Sequence, residues 1–287
     1  MRVAYTSDIH IDVSPQNLHA AKQIAALMAD AGPDAVVLAG DLGNTLKELA
    51  TVLEFFKYID APKLFVPGNH DLWVERDAGF GEGSDSGEKY ASLIPALCDR
   101  MGFVDLGHGP FYIGDAAFVG SIGWYDYSLA DPRLGLSEGD YKKGRYGDSK
   151  WLDSEMVSWR RYPRAAGEEG LSDKEICTGM VRKLESHIIE AEKRVDRIVA
   201  VIHTCPFPEA LPRSEEPDYL DAFYGCEQIG QVLLAHKKIE ACITGHKHVN
   251  GDWEIGGIRV HRRILGGVGP DDSIGERVQE AVGFLEL

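Results

Sequence analysis

Residues 63–71 read KLFVPGNHD, a short apolar run that stops at Pro67 and is followed by Gly68, Asn69, His70 and Asp71. An apolar run bounded by Pro and Gly predicts a buried strand. Four further apolar runs also end in polar residues. They are Val3–Thr6 before Asp8 and His10, Ala35–Ala39 before Gly40 and Asp41, Ile198–Ile202 before His203, and Ala241–Thr244 before Gly245, His246 and His248. The chain therefore repeats one arrangement, a strand that carries chemically active side chains at its end.

Patterns with helical spacing separate several of these runs and indicate the fold class. Helices are predicted over Pro15–Ala31, Leu46–Ile59, Lys89–Met101, Ser172–Val195 and Glu227–Lys237. Another strand is predicted at Ala116–Val119, a hairpin around Gly256 and Gly257, and a last strand within Ala281–Leu287. Strands that alternate with helices favour a layered α/β fold. We expect a single domain over residues 1–287, with an insertion or cap-like segment at about residues 124–172.

The polar strand ends predict a metal site. In open α/β sheets, ligands bind at the carboxyl ends of the strands, so residues far apart in sequence can converge there. Alternate residues of an extended segment point the same way, and this predicts that Asp8 and His10 lie on one side, as do His246 and His248. Carboxylate, amide and imidazole donors without thiolate suit Mn, Fe or Zn better than Ca or Mg. A Gly before Asp41, Asn69 and His246 allows close approach of the backbone to a ligand.

The ordered set D-x-H, G-D, G-N-H-D, H and G-H-x-H between residues 8 and 248 resembles the calcineurin-like metallophosphoesterase superfamily. The resemblance implies a four-layer α-β-β-α sandwich of two mixed sheets flanked by helices. It implies two metal ions, one held by Asp8, His10, Asp41 and His248, the other by Asp41, Asn69, His203 and His246. It further implies a bridging role for Asp41, attack on phosphorus by a metal-bridging hydroxide, and a catalytic role for His70 near the leaving group.

The second motif departs from the pattern of many relatives. It reads Gly40-Asp41-Leu42-Gly43-Asn44, and Asn44 stands where such proteins often carry an Asp that orients the catalytic histidine. Asn44 can accept a hydrogen bond from an imidazole N–H, but it cannot stabilise an imidazolium by charge. We therefore expect a lower pKa for His70 than in those relatives. An Asn44→Asp variant with an unchanged pH–rate profile would contradict this expectation.

Composition narrows the classes of function. The net charge of −16 disfavours binding to nucleic acid, because an acidic surface repels a phosphate backbone. The five cysteines form no CxxC motif and predict buried hydrophobic side chains. No apolar run reaches membrane-spanning length, and Met1-Arg2-Val3 leads directly into a strand-like segment. These features predict a soluble cytoplasmic protein that does not bind membranes.

The segment 124–172 is rich in aromatic and charged residues and does not resemble core. Seven basic residues lie between positions 142 and 164, namely Lys142, Lys143, Arg145, Lys150, Arg160, Arg161 and Arg164. Arginine pairs with phosphate and aromatic rings stack on bases or sugars, so Trp124, Tyr125 and Arg145 are candidate substrate-binding residues. A solvated excursion or an oligomer contact remains equally open, and the oligomeric state is not predicted. Residues 78–88 predict a mobile loop.

Three functions are compatible with these features of the sequence, and the first is the most favoured. The first is hydrolysis of a phosphomonoester or small phosphodiester by a two-metal phosphoesterase. The second is a nuclease, whose binding should weaken steeply with salt. The third, from a different class, is a non-catalytic scaffold on the same fold. A scaffold is disfavoured because all seven candidate ligands and His70 are present.

Overall fold

The computed structural model describes residues 1–74, 85–159 and 170–287. The strands of these regions, in chain order, are β1 (Arg2–Thr6), β2 (Ala35–Leu38), β3 (Lys63–Phe65), β4 (Phe103–Asp105), β5 (Phe111–Ile113), β6 (Ala116–Ser121), β7 (Arg145–Tyr146), β8 (Ser149–Lys150), β9 (Arg197–Ile202), β10 (Ile239–Thr244), β11 (Gly251–Ile255), β12 (Ile258–Arg262) and β13 (Gly283–Glu286). The predicted strands are confirmed, with ends that differ by one or two residues.

The helices follow the predicted patterns and add several short turns. They are α1 (Pro15–Ala31), α2 (Leu46–Phe56), α3 (Ser86–Glu88), α4 (Ile94–Met101), α5 (Glu138–Tyr141), α6 (Asp153–Met156), α7 (Asp173–Glu192), α8 (Glu227–Ala235) and α9 (Ile274–Ala281). A π-helical turn, Lys89–Leu93, replaces the first part of the predicted helix Lys89–Met101. Pro95 has no N–H to donate to the carbonyl of Ala91, so regular α-helical pairing cannot run through this junction.

Two mixed sheets form the centre of the fold. The first sheet has the order β13-β1-β2-β3-β4, in which only β13 is antiparallel to its neighbour. The second sheet has the order β11-β12-β10-β9-β6-β5, with β11 and β5 antiparallel at its two edges. Buried side chains from both sheets, including Val37, Leu64, Val201 and Ile243, form one cluster between them. Helices flank the pair of sheets: α4 packs on β4, and α7 packs on β6 and β9. The predicted four-layer α/β architecture is confirmed.

Local signals explain where the helices beside the site begin. Ser14 caps α1 by accepting from the Asn17 N–H, and Gly32 ends α1 with a left-handed φ of 58°. Thr45 and Glu48 form a capping box at the start of α2. The Glu48 carboxylate also accepts from the backbone N–H of Asn44 at 3.0 Å, which fixes the residue that precedes this helix.

Two predictions fall partly outside the described residues. Residues 78–84 of the predicted mobile loop lie there, and so do Arg160, Arg161 and Arg164 of the basic segment. At the end of the predicted loop, Ser86–Glu88 instead form a helical turn capped by Asp85, so the prediction is wrong at these residues. The five cysteines are buried and unpaired, as predicted. Within the described ranges, the helices lack the length and apolar character needed to cross a bilayer.

Candidate metal centre

The carboxyl ends of β1, β2, β3, β9 and β10 bring the predicted ligands together. The first trio is Asp8, His10 and His248, and the second trio is Asp41, His203 and His246. Within each trio the potential ligand atoms lie within 4.8 Å of one another. Asn69 joins the second trio, because its Oδ1 lies 3.2 Å from His203 Nε2. All seven residues that the sequence predicts as ligands therefore surround one site.

Asp41 lies between the two trios. Its Oδ2 is 3.8 Å from His10 Nε2 in the first trio and 3.3 Å from His203 Nε2 in the second trio. Its other oxygen, Oδ1, accepts from the backbone N–H of His70 at 2.9 Å. This bond leaves Oδ2 directed at both groups of imidazoles.

The donor set fits cations because acceptor atoms face one another. His203 donates from Nδ1 to the carbonyl of Ala39 at 2.7 Å, so Nε2 is the nitrogen that faces the site, and it presents a lone pair there once its proton is lost. That lone pair faces the Asn69 carbonyl oxygen. In the first trio, His10 Nε2 and His248 Nε2 lie 3.2 Å apart, and His248 Nε2 is also 3.2 Å from Asp8 Oδ1. Acceptors at such distances repel unless a proton or a cation lies between them.

The backbone at the ligands is strained. Asp8, His10, Asp41 and His246 have φ values of 51°, 47°, 55° and 69°, in the left-handed region that residues with a Cβ rarely adopt. Asp8 and His10 do converge, but the alternation of side chains along an extended segment is not the cause. That reason, drawn from the sequence, is wrong, and the convergence comes from a tight left-handed turn. Such turns persist only where surrounding contacts impose them.

Glycines before the ligands permit this close packing, as the sequence predicts. A Cβ on Gly68 would lie 2.2 Å from Asp41 Oδ1, and a Cβ on Gly245 would lie 2.0 Å from Ser7 Oγ. Both distances are shorter than non-bonded atoms tolerate, and a Cβ on Gly245 would also lie 2.5 Å from Asp8 Oδ2, so any larger residue at either position would displace a ligand. The two positions require glycine because of close approach.

Asp71 has a part in the site that the sequence analysis did not assign. Its buried carboxylate accepts from the backbone N–H groups of Asp41 at 2.9 Å, Leu42 at 3.0 Å and Gly68 at 2.8 Å. These bonds tie the loop after β2 to the loop after β3. The signal was present in the sequence, since Asp71 is the last residue of the G-N-H-D motif, but nothing in the spacing showed what it contacts.

His70 lies beside the two trios and contacts Asn44. Its Nδ1 is 3.0 Å from Asn44 Oδ1, and its ring lies edge-on to His10 at 4.7 Å and stacks on Trp73 at 3.8 Å. Burial lowers the pKa of His70 to about 4, although the Asp41 carboxylate raises it. Asn44 in turn donates from Nδ2 to Asp12 Oδ2 at 3.0 Å. The Asp12 carboxylate is therefore linked to the His70 imidazole through the Asn44 amide. An Asp at position 44 would contact the imidazole directly.

The charge states of the second trio suit a cation. Burial lowers the pKa of His203, but the neighbouring Asp41 outweighs it and raises that pKa to about 9. Burial and the adjacent His203 lower the pKa of His246 to about 3. Burial alone would raise the pKa of Asp41, yet the nearby His203 and His70 hold it well below its usual range. The carboxylate is thus ionised and His246 is neutral, as metal ligation requires, whereas His203 would lose its Nε2 proton when a cation binds.

The segment from residue 124 onward differs from its prediction. Trp124, Tyr125, Tyr127, Tyr141 and Trp159 belong to the buried core, so the expectation that this segment lies outside the core is wrong for them. Trp124 is 0% exposed and Tyr125 is 3% exposed, which leaves Trp124 no surface for a ligand. Tyr125 instead lines an aromatic cavity of about 220 Å³. Arg145 lies on the exposed β7–β8 hairpin, where its Nη2 is 3.3 Å from Glu155.

Known proteins resemble this chain in sequence. The family model for calcineurin-like phosphoesterases matches residues 1–250. The [acyl-carrier-protein] phosphodiesterase PptH of Mycobacterium tuberculosis is 33% identical to the chain over 117 residues. That match spans 38% of this chain and about a third (34%) of the length of the relative.

Solved structures share the fold over most of the chain. The phosphopantetheinyl hydrolase PptH from Mycobacterium tuberculosis covers 92% of this chain and 89% of its own, with a TM-score of 0.74 and 19% identity. A dimetal phosphatase from Danio rerio covers 91% of this chain and 86% of its own, with a TM-score of 0.52 and 15% identity. The chain therefore belongs to the calcineurin-like phosphoesterase family, whose members are metal-dependent phosphoric ester hydrolases.

Proposed function

We propose that this chain hydrolyses phosphate esters at a centre of two metal ions bridged by Asp41. Asp8, His10, Asp41 and His248 would hold the first ion, and Asp41, Asn69, His203 and His246 would hold the second ion. The position of Asp41 Oδ2 carries the proposal, because it lies within 4 Å of an imidazole nitrogen from each trio. Two ions bound there would supply a water of lowered pKa and would polarise the phosphoryl oxygens. Mn, Fe and Zn suit this set of nitrogen and oxygen donors.

His70 contributes to the departure of the leaving group in this proposal. Its Nδ1 is occupied by Asn44, so Nε2 is the nitrogen that remains for the leaving oxygen. The stacked ring of Trp73 and the edge-on contact with His10 fix the plane of the imidazole. Because Nδ1–H donates to Asn44, Nε2 can act on the leaving oxygen only when the imidazole is protonated, as a general acid that gives up its Nε2 proton.

We further propose a phosphodiester as the substrate, in particular the phosphopantetheine group linked to an acyl carrier protein. The 33% identity with the PptH phosphodiesterase over 117 residues supports this choice. Water would add to phosphorus and the seryl oxygen of the carrier would leave, which yields free phosphopantetheine and unmodified carrier protein.

A nuclease is the second candidate, and the net charge of −16 argues against it. The predicted substrate-binding roles of Tyr125 and Arg145 remain proposals, as does the cytoplasmic location. The assignment of residues 124–172 as an insertion or cap-like segment is likewise a proposal.

One hydrolysis panel tests the function and the substrate separately. The purified protein is loaded with Mn and assayed on carrier protein that bears phosphopantetheine, bis(p-nitrophenyl) phosphate, p-nitrophenyl phosphate, a cyclic nucleotide and single-stranded DNA. We expect mass spectrometry to show unmodified carrier protein and free phosphopantetheine, together with hydrolysis of the aryl diester. Cleavage of the aryl diester but not of the carrier would refute the substrate. Inactivity on every ester, with less than one ion bound per chain, would refute the two-metal function.

A further inference from the structure

A carboxylate from outside the metal-binding motifs contacts one of the candidate ligands. Asp153 begins α6 within the segment 124–172, and it is 3% exposed. Its Oδ1 accepts a hydrogen bond from Asn69 Nδ2 at 2.9 Å. The other end of the same amide, Asn69 Oδ1, lies 3.2 Å from His203 Nε2. The bond to Asp153 therefore determines which end of the Asn69 amide faces the second ion.

The same carboxylate oxygen also reaches the ring that stacks on His70. Trp73 donates from Nε1 to Asp153 Oδ1 at 2.6 Å. The indole of Trp73 stacks on the His70 imidazole with ring centroids 3.8 Å apart and an angle of 26° between the planes. One buried oxygen thus holds both the amide of Asn69 and the aromatic ring behind His70.

Backbone contacts hold α6 against this loop. The Val74 N–H donates to the carbonyl of Met156 at 2.8 Å, and the Ser86 N–H donates to the carbonyl of Ser158 at 2.8 Å. Because these bonds lie close to Asp153 in sequence, the position of its carboxylate is set by the fold. These backbone bonds therefore hold the Asp153 carboxylate beside the loop that carries Asn69 and Trp73.

We propose that Asp153 is a positioning residue that fixes the Asn69 amide for the second ion and the Trp73 ring for His70. The inference rests on the proposed function, since it assigns Asn69 to the second ion. An asparagine amide ligates metal through its oxygen, while its NH₂ group repels a cation. Without an acceptor at Asp153, the amide is free to turn and present NH₂ to the ion. Loss of a partner that orients a metal ligand typically costs about 10–100-fold in metal affinity or activity.

Two substitutions at Asp153 separate orientation from charge. Asp153→Ala removes the acceptor, whereas Asp153→Asn retains a carbonyl oxygen that can occupy the position of Oδ1 and accept from both donors. The Oδ2 atom has no hydrogen-bond partner among the described residues, so the added NH₂ group breaks no existing bond. Glu155→Ala is the matched control, because Glu155 lies on the same helical turn and pairs with Arg145 and Lys150 at the surface.

The decisive measurement is the binding of Mn by isothermal titration calorimetry. We expect two ions per wild-type chain, and in Asp153→Ala a loss of about 10–100-fold in affinity for the second ion with the first ion retained. Asp153→Asn and Glu155→Ala should stay within about threefold of the wild type. If Asp153→Ala fails to fold, Asp153→Leu fills similar volume without an acceptor and carries the same expectation.

A second readout follows the Trp73 hydrogen bond directly. The indole N–H resonance of Trp73, assigned with Trp73→Phe, should exchange with solvent faster in Asp153→Ala than in the wild type. Wild-type affinity for both ions in Asp153→Ala would overturn the inference and leave the proposed function intact. An equal loss in Asp153→Asn would also overturn it, because charge rather than orientation would then be responsible. Fewer than two ions on the wild-type chain would instead refute the proposed function.

Discussion

The strand-end loops and the segment 124–159 that contacts them differ in how their sequences relate to their structures. In the loops, Asp8, Asp41 and His203 follow apolar runs and lie where the ends of parallel strands meet. In the segment, Trp124 and Tyr125 stand among glycines and charged residues, yet they are buried. The chemistry of a metal site demands particular residue types at strand ends, whereas the burial of a ring depends on partners far along the chain.

The partners of the aromatic segment show this dependence. Trp124 donates from Nε1 to Asp173 at 2.9 Å, and Tyr125 packs edge-on against Phe223 at 5.3 Å. Both partners lie about 50–100 residues away, at the start of α7 and just before α8. The local sequence around Trp124 and Tyr125 does not indicate either contact. We therefore expect substitutions in the strand-end loops to lower catalytic activity, and substitutions in the segment to lower the free energy of unfolding.

Replacement of the bridging residue should have the largest effect. In Asp41→Ala both ions lose a ligand, and a metal centre is worth several kcal/mol of transition-state stabilisation. We expect kcat/KM for bis(p-nitrophenyl) phosphate with Mn to fall at least about 1000-fold. Asp115→Ala, at the exposed turn between β5 and β6, is the control and should retain wild-type activity. A loss of less than tenfold in Asp41→Ala would contradict the assignment of the bridge.

Removal of the buried indole tests the other region. Trp124→Ala should lower the free energy of unfolding by about 3–5 kcal/mol, because it leaves a cavity and removes the indole N–H that donates to the Asp173 carboxylate. Urea unfolding of the protein without metal measures this. Tyr146→Ala is the control, since Tyr146 is 47% exposed in the same segment and should cost about 1 kcal/mol or less. An equally small effect of Trp124→Ala would support the original interpretation of the segment as a surface excursion.

Catalysis should depend on His70 in a way that varies with the leaving group. An alkoxide such as that of serine needs a proton as it departs, whereas p-nitrophenolate is stable without one. We expect His70→Ala to lower kcat by about 100-fold or more on a carrier-linked phosphodiester, and by much less on bis(p-nitrophenyl) phosphate. Calorimetry should still find two Mn ions, because His70 is not among the ligands. Equal losses on both substrates would contradict a role at the leaving group.

Much of the fold was predictable because its strands and helices carry strong local patterns. The helix Pro15–Ala31 is confirmed at both ends, since Ser14, Pro15 and Gly32 are explicit start and stop signals. The convergence of the seven candidate ligands followed from the rule for strand ends. Their left-handed backbone did not, because strain at Asp8 or His246 is imposed by neighbouring loops and not by the residues themselves.

The residues that support the site were the least predictable part. Asp71 and Asp153 each contact the site through hydrogen bonds to residues in other loops. An aspartate that accepts from an amide looks in sequence like any surface aspartate, because its burial and its partner are consequences of the tertiary fold. The sequence thus predicts groups that touch metal better than groups that hold those ligands in place.

The smallest predicted effect is that of replacing Asn44, which stands where relatives often carry an Asp. Asn44 accepts from His70 and donates to Asp12, so Asn44→Asp would place two carboxylates about 3 Å apart. We expect this variant to lose about 1–2 kcal/mol of unfolding free energy. Adding Asp12→Asn should restore most of it, because the donor and the acceptor then exchange places across the same contact. The double-mutant cycle would give a coupling energy of about 1–2 kcal/mol, measured by urea unfolding. Additive effects would show that Asp12 and Asn44 act independently. Coupling would show that Asp12, on the loop after β1, supplies the carboxylate that relatives often place at position 44 behind the catalytic histidine.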